Sequence, residues 1–591
     1  MRFATTSFLS VTLGLLVSFI QISVAAQGPI VSLKQGSFQG NATGEIVKFL
    51  GMPFAAPPIG NLRFAPPQPP LSSQGVQQAT SFGAACFQQS PGTAQILNVS
   101  VSTILPHPAV VSEDCLFINV VKPAQIPAGK KLPVVFWIYG GKWGCIDDAL
   151  KVHHFPGGFQ TGDSASNPGD TVVARSIALG EPVVYVSANY RLNVFGFLQG
   201  KEAKAAGLGN IGLRDQRIAL HWVQKNIAAF GGDPKKVTIW GESAGAISVS
   251  FQMLANDGNT NGLFRGAFME SGSPFQLRNI TTNQQFFDQL VMDVGCTGSS
   301  DLIGCLRTIP FDNLGAAVNK SPNVWSFTSL TLIWGPTIDG NVIKRAPQES
   351  LLKGLYAKVP FVTGDCDDEG TTFSFGNKNI TTNDEYLSYI KSNYLPGISD
   401  DQLALVADAY PEDPTQGSPF GSGTANALTP QFKRISAIQS DLFFQAPRRF
   451  FLKLASKTQP TFAFLIQYPA YKRGKATPYL GAYHSSDIPE FYGSGASPDY
   501  IGTDALGKES SRSQPSATHH SSVNFANALN PNTHNPKSLL SSVNWDLWGS
   551  STSAPPLLTF FDPAPSVNIT FDNFRVDQIN LLTEVTLKLF G

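Results

Sequence analysis

The chain has 591 residues and is electrically balanced, with 42 Lys and Arg residues against 42 Asp and Glu residues. Only 14% of the residues are charged and 42% are hydrophobic, including 42 Phe and 8 Trp, which is the reverse of a disordered composition. Binding to nucleic acids or anionic membranes depends on clustered Lys and Arg, so the balanced charge argues against both kinds of partner.

The N-terminal segment has the three parts of a secretion signal. A positive charge in Met1-Arg2 precedes an apolar run from Phe8 to Ile20, and Val24-Ala25-Ala26 supplies the small residues that a signal peptidase accepts. The run is shorter than the roughly 20 apolar residues that a membrane-spanning helix needs. We therefore expect residues 1–26 to be removed and residues 27–591 to form a secreted, extracellular protein.

Sequons and cysteines fit that compartment. In a secreted chain N-x-S/T sequences predict glycosylated surface loops, and here they begin at Asn41, Asn98, Asn279, Asn319, Asn379 and Asn568. The six cysteines are few for this length, so the core must supply most of the stability. Cys86 and Cys115 bracket one segment, and Cys296 and Cys305 bracket a shorter one. Cys145 and Cys366 have no evident partner. The sequence does not choose among the roughly 15 connectivities.

Short apolar runs alternate with amphipathic segments along the chain. Runs at 132–138, 182–186, 237–240 and 359–362 are rich in β-branched and aromatic residues, as buried parallel strands are. Residues 215–227 place their apolar side chains at helical spacing. Alternation of strands and helices predicts an α/β sheet with right-handed crossovers, and the absence of a long linker favours one large domain.

A nucleophile motif follows the third apolar run. The sequence Gly241-Glu242-Ser243-Ala244-Gly245 lies between that strand and a helix-like run. Glycines two residues before and two after a serine let the chain turn sharply, so the serine stands exposed beside the N-terminus of the helix. Ser243 is therefore the candidate nucleophile.

With residues 113–120 and 229–234, this motif resembles the two signatures of the type-B carboxylesterase/lipase family. Segments 189–197 and 417–434 are similar to its secreted fungal branch, and the similarity extends from about Gly28 to the C-terminus. The resemblance implies an α/β-hydrolase fold, a single domain with a large, mostly parallel central sheet flanked by helices. It also implies hydrolysis of carboxylic esters by a Ser/Glu/His triad, with no cofactor and no metal. It further suggests disulfides Cys86–Cys115 and Cys296–Cys305, and a structural ion pair between Arg63 and Glu113.

The triad needs a base that takes the serine proton and a carboxylate that orients the base. In this fold the acid and then the histidine follow the serine. The histidines after Ser243 are His484, His519, His520 and His534. His484 lies in a segment, 480–488, that is similar to the family's catalytic-histidine loop. The other three lie in Ser-, Asn- and Pro-rich sequence that is typical of surface.

The candidate acid lies in the acidic run 364–370, which follows the fourth apolar run. The family pattern ends this run in Glu-Gly, which selects Glu369, and Asp339 is the second candidate. From composition alone the run could also be a solvated loop or a calcium site. A calcium loop needs alternating oxygen ligands and a distal Glu, which this run fits poorly.

Acyl transfer also needs backbone N–H donors for the developing oxyanion. Ala244 is one expected donor, and in the family the others come from an aromatic-Gly-Gly-Gly-Phe loop. Here Tyr139-Gly140-Gly141 continues into Lys142-Trp143, and the expected ending appears only at Gly157-Gly158-Phe159. Excising residues 141–156 restores the family loop and makes Gly157 and Gly158 the donors, with Gly140 and Gly141 as alternatives.

A second departure of the same form occupies residues 507–522. Both segments begin Gly-Lys, which GGTAAG can encode, and that hexamer contains a splice-donor sequence. Our hypothesis is that both segments are translated retained introns, and the alternative is that they are genuine loop insertions. A genuine insertion at 141–156 would place a bulky loop in the oxyanion hole. The protein would then be catalytically impaired, or a binding protein on the same fold.

The substrate is expected to be a small-molecule ester or a lipid. The segment between Cys86 and Cys115 corresponds to the flap that covers the site in the lipases, and its partly alternating apolar residues suit acyl chains, transient contact with a lipid surface, or ordinary packing. It looks shorter than the lipase flap, which favours a general carboxylesterase. A metal-dependent hydrolase is disfavoured because the sequence has no H-E-x-x-H motif.

Overall fold

The structure is a computed structural model. It describes residues 28–90, 95–96, 99–100, 110–141, 157–467, 478–488, 491, 517–532, 534, 539–561 and 566–590. The predicted signal segment 1–26, Asn98, Cys145, and residues 142–156 and 507–516 of the suspected insertions lie outside these ranges. Residues 517–522 of the second suspected insertion lie in a helix.

The strands form one large sheet and two small ones. Their bounds are β1 Ile30–Leu33, β2 Gly36–Gln39, β3 Asn41–Thr43, β4 Ile46–Pro53, β5 Val76–Gln78, β6 Gln95–Ile96, β7 Val99–Ser100, β8 Phe117–Pro123, β9 Leu132–Ile138, β10 Val184–Ala188, β11 Gly232–Glu242, β12 Gly266–Glu270, β13 Phe361–Cys366, β14 Thr461–Ile466, β15 Pro556–Phe561 and β16 Ser566–Phe571. Within the described residues the large sheet has 11 strands in the order β16-β15-β14-β13-β12-β11-β9-β10-β8-β4-β3. From β10 to β15 every neighbouring pair is parallel, and the pairs outside this block are antiparallel. This confirms the predicted α/β fold class.

Helices cover the sheet. The α-helices are α1 Asp170–Leu179, α2 Asn193–Phe197, α3 Lys201–Ala205, α4 Ile211–Asn226, α5 Ala244–Leu254, α6 Gln284–Asp293, α7 Leu302–Thr308, α8 Phe311–Val318, α9 Pro347–Leu352, α10 Asn383–Tyr389, α11 Asp400–Ala409, α12 Phe432–Ser440, α13 Ala446–Ala455, α14 Ala517–Ala528 and α15 Val576–Phe590. Turns of 3-10 helix span Gly60–Leu62, Ile227–Phe230, Ala255–Gly258, Glu369–Thr371, Phe373–Asn377, Pro414–Gln416, Pro478–Leu480, Leu539–Ser542 and Trp548–Ser550. Two π-helical turns, Ile390–Tyr394 and Asp441–Gln445, continue α10 and join α12 to α13.

The sequence pattern predicts the positions of the central strands well. Two strands begin later than predicted, and a proline explains each difference. β9 has the predicted bounds and is buried at every residue. β10 and β13 each begin two residues later than predicted, after Pro182 and Pro360, because proline has no N–H to donate to a strand ladder. β11 begins earlier than the predicted run 237–240: Gly232 already pairs with Leu132, and an irregularity follows before Val237.

Covalent and surface features follow the sequence with one exception. Disulfides join Cys86 to Cys115 and Cys296 to Cys305, the pairing that the resemblance suggests, and Cys366 is free and buried. Arg63 contacts Glu113 through two hydrogen bonds of 2.6 Å. Five of the predicted glycosylation asparagines are described, and all are exposed: Asn41, Asn279, Asn319, Asn379 and Asn568. The predicted loop position is wrong for Asn41 and Asn568, which lie in strands β3 and β16.

Candidate active site

Ser243 occupies the turn between β11 and α5. Its φ of 54° and ψ of −125° are unusual for a residue with a side chain, and such strain is typical of catalytic positions. The flanking glycines make the turn possible. A Cβ on Gly245 would lie 2.0 Å from the carbonyl oxygen of Ile138, and one on Gly241 would lie 2.5 Å from the backbone of Gly245. The two glycines of the motif therefore let the turn between β11 and α5 pack closely against itself and against the end of β9, with Ser243 at its apex.

The structure brings the three predicted triad residues into one chain of hydrogen bonds. His484 Nε2 lies 2.7 Å from Ser243 Oγ, and His484 Nδ1 lies 2.5 Å from Glu369 Oε2. All three side chains are buried. Burial lowers the pKa of the His484 imidazole, which keeps the ring neutral and able to accept the serine proton.

Glu369 is held by groups that favour its ionised form. Its Oε1 accepts a 2.6 Å hydrogen bond from the backbone N–H of Cys366, and the Ser271 side chain also hydrogen-bonds to it. Burial raises the pKa of Glu369 to about 8, and without these two hydrogen bonds, which favour the ionised form, the rise would be larger. The same hydrogen bonds fix the carboxylate in the position from which it orients the imidazole of His484.

The other acids of the run 364–370 have separate partners. Asp365 pairs with Arg448 at 2.8 Å, and Asp367 pairs with Arg575 at 3.1 Å. Asp368 accepts hydrogen bonds from the Ser418 hydroxyl and from the backbone N–H groups of Phe420 and Ala482 at 2.8 to 2.9 Å. Asp368 therefore ties the acid loop to the histidine loop, two residues before His484.

The second acid candidate lies elsewhere. Asp339 accepts from the backbone N–H of Ile343 at 2.9 Å, and its nearest cation is Arg214 at 3.9 Å. It stabilises a turn and is not among the groups that contact His484. Of the other histidines, His534 is exposed, and the side chains of His519 and His520 lie outside the described part of the chain.

Both sets of candidate oxyanion glycines meet beside the nucleophile. A Cβ on Gly140 would lie 2.8 Å from Ser243 Cβ and 2.9 Å from the backbone nitrogen of Ala244. A Cβ on Gly157 would lie 3.2 Å from the Cα atom of Gly141. Gly141 and Gly157 therefore lie next to each other, and Gly158 follows in a left-handed conformation at φ +63°.

Several buried groups near His484 were not predicted. The rings of Phe373 and Phe444 flank its imidazole at centroid distances of 4.9 and 5.0 Å. Glu242 Oε1 lies 3.6 Å from His484 Nε2 and accepts a hydrogen bond from Ser485. Asp487 is fully buried in the same region. The sequence offered one signal for the two acids: Glu242 lies inside the serine motif, and Asp487 lies three residues after His484. It could not show that their side chains point into the site.

A cavity of mixed polarity lies near the turn that bears Ser243. Its walls combine apolar and polar residues: Phe275, Leu277, Leu330, Leu332, Tyr394, Phe443 and Phe590, with Gln199, Gln276, Arg278, Asn283, Thr331 and Thr337. The triad side chains do not line it, but two of its walls lead towards the site: Phe275 is three residues from Gly272, where a Cβ would lie 2.7 Å from the Ser243 carbonyl, and Leu332 lies 3.4 Å from the Cβ position of Gly158. Within the described ranges no group of three or more His, Cys, Asp or Glu side chains is arranged to hold a metal ion. Nor does any helix in those ranges combine the length and hydrophobicity needed to cross a membrane.

A parallel sheet that presents a strained serine beside a histidine and a carboxylate defines a serine hydrolase of the α/β-hydrolase class. The chain belongs to the carboxylesterase family, whose model matches residues 27–559, and it is a carboxylic ester hydrolase. It is 37% identical over 572 residues to secreted lipase 1 of Botryotinia fuckeliana, covering 94% of this chain and 93% of the relative. It is 39% identical over 557 residues to lipase 4 of Diutina rugosa, covering 92% and 93%. The crystal structure of Aspergillus niger EstA matches with a TM-score of 0.78 at 26% identity, covering 96% of this chain and 99% of that one.

Proposed function

We propose that Ser243, His484 and Glu369 form the catalytic triad of this ester hydrolase. The observation that carries the proposal is the continuous hydrogen-bonded chain from Glu369 through His484 to Ser243. His484 Nε2 takes the Ser243 hydroxyl proton as Oγ attacks the ester carbonyl, and Glu369 stabilises the imidazolium that forms. His484 then gives the proton to the leaving alcohol, and water repeats the sequence to release the acid.

The developing oxyanion needs donors at the nucleophile. We assign this role to the backbone N–H of Ala244 and to Gly157 and Gly158, with Gly140 and Gly141 as alternatives. The close approach of Gly140 to Ser243 and of Gly157 to Gly141 supports a donor group at this point, because no side chain separates the glycine backbone from the nucleophile. Loss of one such donor costs about 3 to 4 kcal/mol of transition-state stabilisation.

The substrate class that we infer is an ester with an apolar acyl chain. The rings of Phe373 and Phe444 beside the His484 imidazole and the apolar part of the nearby cavity suit such a chain, and two relatives carry the name lipase. We also infer that residues 1–26 direct the chain to the secretory pathway and that its site is extracellular. A transient contact with a lipid surface would follow from the same substrate class.

The suspected insertions remain part of the proposal. We infer that residues 141–156 interrupt the oxyanion loop, and that a chain without them has the intact loop Tyr139-Gly140-Gly157-Gly158-Phe159. The contact between Gly141 and Gly157 supports this inference because the two ends are already adjacent. Sequencing of the cDNA tests it, since transcripts that contain both inserted segments would contradict the intron hypothesis.

Turnover of p-nitrophenyl esters of increasing acyl length tests the proposed triad. Ser243→Ala and Glu369→Gln should each lower kcat by roughly a thousandfold or more. Asp339→Asn is the matched control, because Asp339 stabilises a remote turn and its amide can still accept the Ile343 hydrogen bond. Turnover that survives Ser243→Ala, or that falls equally in Asp339→Asn, would reject the assignment.

A further inference from the structure

In the described part of the chain the large sheet ends at strands β3 and β16, and each of these edge strands carries a sequon. At one edge, β3 consists entirely of Asn41-Ala42-Thr43, and all three residues are exposed. At the other edge, β16 contains Asn568-Ile569-Thr570, and the Asn568 side chain is exposed. Unpaired N–H and C=O groups at a sheet edge invite pairing with another chain, so natural proteins cover or blunt such edges.

The β16 edge lacks the usual protection. Its sequence Ser566–Phe571 has no charge, no proline and no glycine, and it contains three β-branched residues and one aromatic residue, a composition typical of cross-β segments. Its register against β15 runs without a bulge from Pro556↔Phe571 to Phe561↔Ser566. Phe571 is 52% exposed. In the described part of the chain, β15 is the one strand that pairs with β16.

The β3 edge is different, although it also carries a sequon. It is three residues long, and all three residues are exposed. A very short edge strand offers few unpaired backbone groups, which discourages pairing. The two edges therefore provide an internal comparison between a protected strand and an unprotected one.

The local geometry leaves the Asn568 amide open to modification. Asn568 Oδ1 accepts a 2.8 Å hydrogen bond from the backbone N–H of Ile569, and Nδ2, the atom that bears a glycan, lies on the other side of the amide. Asn568 lies opposite Thr559 in the antiparallel pair, at the outer end of the sheet. A sugar attached there would stand beside the free edge of β16.

We propose that N-linked glycans at Asn568 and Asn41 cover the two edges of the central sheet, and that the glycan at Asn568 keeps β16 from pairing with a second chain. The modification forms a bond between Nδ2 and the anomeric carbon of a polyprenyl-pyrophosphate-linked oligosaccharide. The bond from that carbon to the pyrophosphate oxygen breaks, and the displaced amide proton leaves with the pyrophosphate. The proposal goes beyond ester hydrolysis and depends on the inferred passage through the secretory pathway.

Occupancy of the sites is measured first, on the full chain secreted from a yeast host. Enzymatic removal of N-glycans in heavy-oxygen water converts each occupied Asn to an ¹⁸O-labelled Asp, which peptide mass spectrometry detects. We expect the label at Asn568 and at Asn41. An unlabelled Asn568 would overturn the proposal, whatever the esterase activity of the protein.

Aggregation of variants then tests what the glycan does. Asn568→Gln should aggregate at least about fivefold faster than the native chain at equal concentration, because it frees the unprotected edge. Asn41→Gln should aggregate at nearly the native rate. Asn568→Lys also lacks the sequon, yet it should return the rate towards native because lysine itself blocks edge pairing. Static light scattering gives the rates, so failure of the proposed triad would leave this test intact.

Two results would contradict the role of the glycan. The first is a native aggregation rate in Asn568→Gln. The second is equal aggregation of Asn568→Gln and Asn568→Lys, which would assign the defect to folding without the glycan and not to the exposed edge. Thr570→Ser keeps the sequon and should behave as the native chain, which controls for substitutions in β16.

Discussion

Ser271 shows how one buried hydroxyl can set the working pH of the site. It follows β12, its φ is 54°, and its side chain hydrogen-bonds to Glu369. Because the hydrogen bond favours the ionised carboxylate, it lowers the pKa of Glu369 against the rise caused by burial. The hydroxyl acts through Glu369 and is therefore a positioning group.

Ser271→Ala should move the acid limb of the kcat/KM profile to higher pH. Loss of the hydrogen bond raises the pKa of Glu369, so the carboxylate is protonated, and activity lost, at a pH higher by about 0.5 to 1 unit. Ser273→Ala is the control, because Ser273 is also buried but lies 3.5 Å from the hydroxyl of Thr363. An unchanged profile in Ser271→Ala would show that the hydroxyl does not influence the acid.

Glu242 should act in the opposite direction. Its carboxylate lies 3.6 Å from His484 Nε2, and its negative charge raises the pKa of the imidazole against the lowering caused by burial. Burial raises the pKa of Glu242 itself to about 7, so the residue carries part of its charge at neutral pH.

Glu242→Gln should therefore move the acid limb of kcat/KM to lower pH by about 0.5 to 1 unit. Glutamine can still accept the Ser485 hydrogen bond, so the substitution removes charge with little change of shape. The pH profile of p-nitrophenyl ester turnover measures the shift, and opposite shifts in Ser271→Ala and Glu242→Gln are the expected signature. Shifts of the same sign would contradict this electrostatic account.

At the scale of elements, the segment from α12 through the π-helical turn to α13 supports the strand that bears the acid. Gln445 donates to the carbonyl of Cys366 at 3.1 Å, and Arg448 bonds to Asp365 at 2.8 Å and to Asp572 at 2.7 Å. Arg448 and both aspartates are fully buried in their side chains. A π-helical turn changes which side chains face inward, and such turns often occur at functional sites.

Arg448→Met should destabilise the fold by about 3 to 5 kcal/mol at neutral pH, because it leaves the buried Asp365 without its cation and leaves the buried Asp572 with Arg449 but without Arg448. Burial raises the pKa of Asp572, but Arg448 and Arg449 hold it well below its usual range, so this group stabilises the fold above its ordinary pKa and loses that contribution as the pH falls. Burial raises the pKa of Asp365 to about 7, so that carboxylate is already close to protonation. The cost of the substitution should therefore be smaller at about pH 5 than at about pH 8.

Urea unfolding of both proteins at the two pH values measures this difference. Lys391→Met removes the partner of Asp400 in a largely exposed pair and should cost less than about 1 kcal/mol. A cost for Arg448→Met that grows as the pH falls would show that the carboxylates are not the source of the instability.

Elements with a strong local pattern could be predicted, and contacts between distant elements could not. The apolar run of β9 and the glycine spacing around Ser243 each have a local steric cause, so the sequence indicates both. The choice of Glu369 among neighbouring acids needed the family resemblance, because each acid finds its partner on a remote element, such as Arg448 on α13 and Arg575 before α15. The role of Ser271 depends on β12 lying beside β13, an adjacency that no local pattern encodes.

At the scale of the whole molecule, the suspected insertions relate differently to the fold. Residues 141–156 begin at Gly141 and are followed by Gly157, and these two glycines lie next to each other beside Ser243. Residues 517–522 form the first half of α14, whose second half packs Phe525 against Phe268 of β12 at a centroid distance of 6.1 Å. The first segment therefore starts and finishes at one point of the structure, whereas removal of the second would require residues before 507 to extend the helix.

A chain that lacks residues 141–156 should fold and should be the more active form. Joining Gly140 to Gly157 needs little movement, because the Cβ position of Gly157 already lies 3.6 Å from the carbonyl carbon of Gly140. An uninterrupted glycine loop gains preorganised N–H donors, and each donor contributes about a hundredfold to a thousandfold in kcat. We expect kcat of the shortened chain to be at least about a hundredfold higher than kcat of the full chain. Its melting temperature should be equal or higher.

Deletion of residues 507–522 alone is the matched control, since that segment is not part of the glycine loop and should leave kcat within a few fold. We would measure kcat for both deletions and for the full chain, with Ser243→Ala in each background. The comparison separates a gain at the oxyanion hole from a general gain in folded protein. Active-site titration gives the folded fraction. If the full chain already turns over at the rate of the first deletion, the segment does not obstruct the donors, and residues 141–156 are a tolerated loop of the functional enzyme.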